Sequence, residues 1–106
     1  MKLTKENLKN LTTLPGCYIF KDSSGVVLYV GKAVNLRARV NQYFAKNGDE
    51  RAKIQNMVEQ ADSVEVITVD SEVEALVLEA NLIKKYRPKY NSLLKDDKNY
   101  IWDDTF

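Results

Sequence analysis

The segment that most restricts how this chain can fold runs from Leu28 to Phe44, LYVGKAVNLRARVNQYF, in which an apolar strand ends at Gly31 and Lys32 and a basic helix follows almost at once. It groups Tyr29, Lys32, Arg39 and Tyr43, two phenols and two cations, in a chain that contains no histidine. Such a set is suited to holding a phosphate and to chemistry beside it. An acid is missing from the segment, and the remainder of the chain has to supply one.

The strand needs a partner, and the residues just before it provide one. CYIFK at 17–21 and VVLYVG at 26–31 are rich in β-branched and aromatic residues, and Asp22, Ser23, Ser24 and Gly25 between them are turn formers, so the two runs form a hairpin. A symmetric two- or four-residue loop sets Lys21 against Val26 and Tyr18 against Tyr29, which makes the two phenols cross-strand neighbours on one face. A three-residue loop would shift the pairing by one and part them.

Around the hairpin the pattern alternates helices and one further strand. Thr4 caps a short helix that runs to about Leu11, with Leu8 and Leu11 turned inward. Asn35 caps a helix from Leu36 to Phe44, whose apolar arc is Leu36, Val40, Tyr43 and Phe44, with Arg39 on its flank one turn before Tyr43. A polar loop, Lys46 to Asp49, leads to a helix over about Glu50 to Ala61 with Ile54, Met57, Val58 and Ala61 on its core face. Val64 to Val69 reads as a third strand. Ser71 and Glu74 then fit a capping box that opens a helix running to about Tyr86, where Pro88 pushes Arg87 out of helical geometry. On this helix Glu74, Asn81 and Lys85 mark the solvent side. Leu76, Ile83, Leu82, Ala75 and Ala80 form the opposite arc, and Glu79 falls among them. An acid inside an apolar arc is costly unless it is paired or ligates a metal. The fold class is therefore α+β, a small, mainly antiparallel three-stranded sheet flanked by helices.

At 106 residues the chain reads as one domain, residues 1–106, with a core over about 14–94 and a tail or the start of a further segment over 95–106. No apolar run is long enough for a membrane span and the N-terminus has no signal-like segment, which points to a cytoplasmic location and no membrane partner. The lone cysteine, Cys17, excludes an internal disulfide and, with no histidine, a conventional zinc site. A metal would have to be held by oxygen, which favours Mg²⁺ or Mn²⁺. Net charge is only +1, yet residues 31–48 carry four cations (Lys32, Arg37, Arg39, Lys46) and residues 82–95 carry five (Lys84, Lys85, Arg87, Lys89, Lys95), both without an acid. Two basic stretches around an acidic one point to a face for an anionic polymer, as opposed to two solvated surfaces.

These groups fit a metal-assisted phosphodiester hydrolysis. Arg39 would neutralise the scissile phosphate, Glu79 would hold one divalent cation, and a base would deprotonate the attacking water. Without histidine the base is a carboxylate, a lysine or a tyrosine. Tyr29 is preferred, although a phenol with an ordinary pKa near 10 is only about one part in a thousand ionised at neutral pH, because Lys32, Arg39 and a metal would all favour the phenolate. A P-loop reading of Gly25 to Ala33 fails, since five residues separate Gly25 from Gly31 and Ala33 stands where a Ser or Thr must reach Mg²⁺.

Gly16-Cys17-Tyr18 followed by Tyr29-Val30-Gly31 resembles the paired tripeptides of the GIY-YIG nuclease family. LPGCYIF, LYVGKAVNLRARVNQYF, DSEVEALVLEANLIKKYRPKYN and LLKDDK are similar, in order and spacing, to the N-terminal nuclease domain of the UvrC proteins, the excinuclease subunits of bacterial nucleotide excision repair. The resemblance covers roughly Leu14 to Lys98. It implies a small sheet flanked by helices and a single-metal cleavage of DNA on the 3′ side of a lesion. It also implies Tyr29 as general base, Glu79 as sole protein metal ligand, Arg39 as phosphate ligand, and Lys32, Tyr18, Tyr43 and Asn91 as supporting polar residues. Departures are Cys17 in place of an aliphatic residue and the terminal YIWDDTF. UvrC proteins continue into a segment that binds the damage-recognition helicase and into further nuclease and DNA-binding modules, so that this domain, a monomer by itself, would meet its partners through regions outside this chain. Two other readings remain: a stand-alone GIY-YIG nuclease of another role, and a DNA-binding module without catalysis.

Overall fold

The computed structural model describes residues 1–45 and 52–95. Three strands, β1 (Gly16–Lys21), β2 (Val27–Ala33) and β3 (Ser63–Thr68), form an antiparallel sheet in the order β2-β1-β3. Five helices surround it: α1 (Lys5–Lys9), α2 (Leu36–Gln42), α3 (Ala52–Gln60), α4 (Glu72–Tyr86) and α5 (Lys89–Lys95). This is the α+β class expected. The expected loop after Lys46 and the C-terminal tail lie outside the described residues.

Three helices begin where a short polar side chain can satisfy an orphan backbone donor. Thr4 Oγ1 accepts from the Asn7 N–H at 3.0 Å, Asn35 Oδ1 from the Ala38 N–H at 3.0 Å, and Ser71 Oγ from the Glu74 N–H at 3.2 Å. The reciprocal half of the box at α4 goes one residue further back than expected, since Glu74 Oε1 accepts from the Asp70 N–H at 2.8 Å. The helix ends at Arg87, which takes the left-handed conformation (φ +46°) just before Pro88.

The hairpin forms, but not in the expected register. Lys21 pairs with Val27, Phe20 with Tyr29 and Tyr18 with Gly31, with a bulge between Phe20 and Lys21. Direct pairing of Tyr18 with Tyr29 is therefore incorrect, and the turn explains why. Asp22 Oδ1 accepts from the Ser24 and Val26 N–H groups at 2.8 and 3.0 Å, and Gly25 adopts φ +85°. This side-chain turn draws Val26 out of the ladder and leaves an extra residue to be absorbed as a bulge. The net slip is two positions, a whole pleat, so Tyr18 and Tyr29 still share a face as diagonal neighbours, ring centroids 6.2 Å apart.

That face carries the core. Tyr18, Phe20, Tyr29 and Val64 from the sheet pack with Leu11, Leu36, Val40, Tyr43, Met57 and Tyr90. Each large apolar side chain so buried contributes about 1.5–3 kcal/mol. The opposite face is covered by α4, whose Ala75 carbonyl accepts from the buried Cys17 thiol at 3.4 Å. A small residue at that contact lets the helix lie close to β1. The inward arc of α4 is accordingly centred on Ala75 and Leu82, with Leu78, Glu79 and Ile83 beside them, whereas Leu76 (54% exposed) and Ala80 face outward. The expected membership of those two in the inner arc is corrected, and Glu79 keeps its inward place.

Both sheet edges are covered. Along β3, the Val64 N–H donates to the Met1 carbonyl at 2.9 Å and the Leu3 N–H to the Asp62 carbonyl at 3.2 Å. Along β2 the cover comes from α5, a segment to which the sequence assigned no element.

Candidate active site

The segment from Leu28 to Phe44 places its phenols on the core face of the hairpin. The Tyr18 and Tyr43 hydroxyls lie 2.6 Å apart, in hydrogen-bond contact. The Tyr18 ring lies over Gly31, directly across the ladder, where a Cβ would overlap its hydroxyl. Only glycine admits an aromatic ring so close to β2. Tyr29 is buried in the same cluster, 6.2 Å from both Tyr18 and Tyr43 between ring centroids.

Arg39 enters this cluster from the last turn of α2. It is 7% exposed, its Nη1 donates to Gln42 Oε1 at 3.3 Å, and it also hydrogen-bonds Tyr18. Burial pushes the Tyr18 phenol well above its ordinary value, the charge of Tyr43 adds to the shift, and Arg39 opposes it. Tyr18 therefore stays neutral across the physiological range. Gln42 was not singled out in the sequence; its signal is its position three residues after Arg39, on the same side of the helix.

On the other face, Lys32 stands opposite Cys17 in the ladder, and Glu79 lies one helical turn beyond Ala75, which the Cys17 thiol touches. The thiol is pushed up to about 12, by burial and then by Glu79, with Lys32 pulling the other way. The one sulfur thus feels both the half-buried carboxylate and the ammonium. Tyr18, Tyr29, Tyr43 and Arg39 thus lie on the face of β2 that holds Gly31, while Lys32, the next residue, lies on the face that α4 covers.

Asn91 sits on α5. Its Oδ1 accepts from the Val30 N–H and its Nδ2 donates to the Val30 carbonyl, both at 2.8 Å, and it is 3% exposed. Its amide occupies the edge of β2 as a neighbouring strand would, and it fixes the residue that follows Tyr29.

Among the described residues no three His, Cys, Asp or Glu side chains cluster as a metal cage. Glu79 is a single carboxylate beside the proposed phosphate ligands, a donor set that fits Mg²⁺ or Mn²⁺, ions that commonly take one or two carboxylates and complete their shell with water and phosphate oxygens. It does not fit a dedicated calcium or zinc cage. No helix among the described residues is long and apolar enough to cross a membrane.

A family model described as the UvrC-like GIY-YIG domain matches residues 14–92. The UvrABC system protein C of Caldicellulosiruptor saccharolyticus is 59% identical over 100 residues, covering 94% of this chain and 17% of that protein. That of Chlamydia muridarum is 53% identical over 101 residues, with 95% and 17% covered. Among solved structures, the GIY-YIG N-terminal endonuclease domain of UvrC from Thermotoga maritima, bound to magnesium as its catalytic divalent cation, superposes with a TM-score of 0.69 at 44% identity, covering 82% of this chain and 98% of that one. A point mutant of that domain, Y43F in its own numbering, superposes with a TM-score of 0.71. Fold and site together define a GIY-YIG nuclease domain. Within that class, the chain belongs to the UvrC-like GIY-YIG family. It spans about a sixth of the length of the curated relatives it matches.

Proposed function

We propose that this domain is a metal-dependent DNA endonuclease, and that in the cytoplasm, within a longer protein of the UvrABC system, it makes the incision on the 3′ side of a lesion. The observation that carries this reading is the cluster of buried Arg39 with Tyr18, Tyr29 and Tyr43 on the face of β2 that holds Gly31, with the half-buried Glu79 on α4, the helix that covers the other face of the sheet.

A phosphodiester lying across the Gly31–Lys32 end of β2 has both groups within reach. Arg39, held by Gln42 and Tyr18, binds the non-bridging oxygens and stabilises the charge that develops on them. Lys32 adds a second positive charge. Tyr29, as the phenolate that nearby positive charge favours, accepts the proton of the attacking water at Oη and becomes the neutral phenol, and Tyr18 and Tyr43 hold the arginine and Tyr29 in place. Glu79 would hold the divalent cation, which when bound supplies positive charge toward the leaving oxygen. Asn91 acts through Val30 and positions Tyr29.

Nicking of supercoiled DNA in Mg²⁺ or Mn²⁺ tests the reading. Wild type should nick, while Glu79→Ala, Arg39→Ala and Tyr29→Phe should each fall by roughly 10²–10³-fold or more. Equal rates for wild type and Glu79→Ala would refute it. DNA binding indifferent to metal and to Glu79→Gln, without cleavage, would instead support a non-catalytic binding module.

A further inference from the structure

We propose that the cleft between the end of α4 and the start of α5 is a second phosphate-binding site, which holds the DNA strand beyond the scissile bond. The proposal rests on the nuclease reading above and extends it from the reacting phosphate to its flank.

The cleft has a volume of about 530 Å³ and is lined by Ile83, Lys84, Arg87, Pro88, Lys89, Asn91 and Ser92. Lys84, Arg87, Lys89 and Ser92 are exposed, and none of the described lining residues is acidic. Three cations and a hydroxyl on an open concave surface form a site for phosphate oxygens.

Two of these cations stand where local energetics disfavour them. Arg87 occupies the left-handed position that closes α4, its N–H donating to the Ile83 carbonyl at 2.8 Å. Glycine or asparagine is preferred there, because a Cβ is crowded at positive φ. Lys89 opens α5, where the helix dipole favours a negative charge, and the first turn of that helix has no acid. Lys84, by contrast, lies in the last turn of α4 and is accounted for by the dipole alone. Arg87 thus forgoes stability, Lys89 faces an unfavourable dipole while its ammonium sits 5.4 Å from the centroid of the Tyr90 ring, and both line one cleft.

The cleft is tied to the reacting strand. Asn91 lines it and also clamps both backbone groups of Val30, the residue after Tyr29. A strand seated in the cleft is therefore referenced to β2 through two hydrogen bonds. The buried Pro88 fixes the corner between the helices, so the two cations project from a rigid bend.

The test compares the 106-residue chain with an Arg87→Gly/Lys89→Ala variant and with a control, Lys5→Ala/Lys9→Ala, that removes the same charge from the exposed surface of α1. Binding to a fluorescent duplex is measured by anisotropy as a function of salt, and nicking as a function of DNA concentration. Loss of two phosphate contacts should flatten the plot of log affinity against log salt by about two, and should raise the half-saturating DNA concentration about tenfold or more, far beyond any fall in maximal rate. Arg87→Lys should restore most of the binding lost at that position. Arg87→Gly should keep or raise the melting temperature, which separates lost binding from lost folding. A variant with the wild-type slope, or one matched by the α1 control, overturns the proposal. If wild type fails to nick DNA in any divalent metal, the nuclease reading falls, and the salt slopes still decide whether the cleft binds phosphates.

Discussion

The two basic stretches of this chain look alike in sequence and behave differently in the structure. In the first, Arg39 is buried among phenols, Lys32 is half-buried opposite Cys17, and the exposed Arg37 donates its Nε–H to the Leu11 carbonyl at 2.8 Å. In the second, Lys84, Lys85, Arg87 and Lys89 all stay exposed. Desolvated charges with fixed partners act strongly and individually, whereas solvated charges are screened and act together. A count of cations along a sequence does not distinguish the two, and the expectation of one shared polymer-binding face fits only the second.

The sharpest way to break this contrast is to delete one arginine from each stretch. Arg39→Ala should lower the maximal nicking rate by roughly 10²–10³-fold, while Arg87→Ala should act mainly on the DNA concentration needed and by about tenfold or less. Steady-state kinetics on both variants reads the split, and an Arg87→Ala enzyme as slow at saturation as Arg39→Ala would erase the distinction.

A smaller effect is expected at the support of the buried arginine. Tyr18→Phe removes the hydroxyl shared with Tyr43 and Arg39 and should lower stability by about 1 kcal/mol in urea unfolding, with a fall in nicking rate. Unchanged stability and rate together would mean that the hydroxyl positions nothing.

Of similar size and opposite sign, Arg87→Gly should raise stability by about 1 kcal/mol, since it relieves the left-handed backbone of a residue with a Cβ. Destabilisation in the same assay would show that the arginine side chain helps hold the bend.

A further effect concerns Cys17 and appears only in alkali. The folded thiol titrates near 12 and the unfolded one near its ordinary 9.0. Its contribution is complete below pH 9 and is lost as pH rises from there toward 12, because the unfolded state releases the proton first. The loss should be about 1–2 kcal/mol by pH 10 and should be absent in Cys17→Ala. Alkylation of the native thiol at pH 9 at the rate of a free cysteine would contradict the burial on which this rests.

Much of the fold was legible because its signals are local. Thr4, Asn35 and Ser71 each meet a backbone N–H three residues away, the hairpin alternates within ten residues, and Glu79 shows its inward direction through helical periodicity alone. Misreadings occurred where a side chain altered the count or a distant surface set the angle. Asp22 turned a symmetric loop into a bulged one, and the close contact of Ala75 with Cys17 rotated α4 away from Leu76 and Ala80. Asn91, by its residue type a turn former, is a helical residue whose amide replaces a missing strand.

By itself, then, the sequence determined the elements up to Tyr86, the caps of three helices, the phenols and cations of the Leu28–Phe44 segment and the acid on a later helix, because hydrogen bonds and periodicities within a few residues dictate all of these. Tertiary structure alone decided the register that puts Tyr18 over Gly31, the contact of Cys17 with α4, and the burial of Arg39 against the exposure of Lys84, Lys85, Arg87 and Lys89. Those depend on which surfaces of distant segments come into contact, and burial, which sets the strength of every charge in the site, exists only once they have.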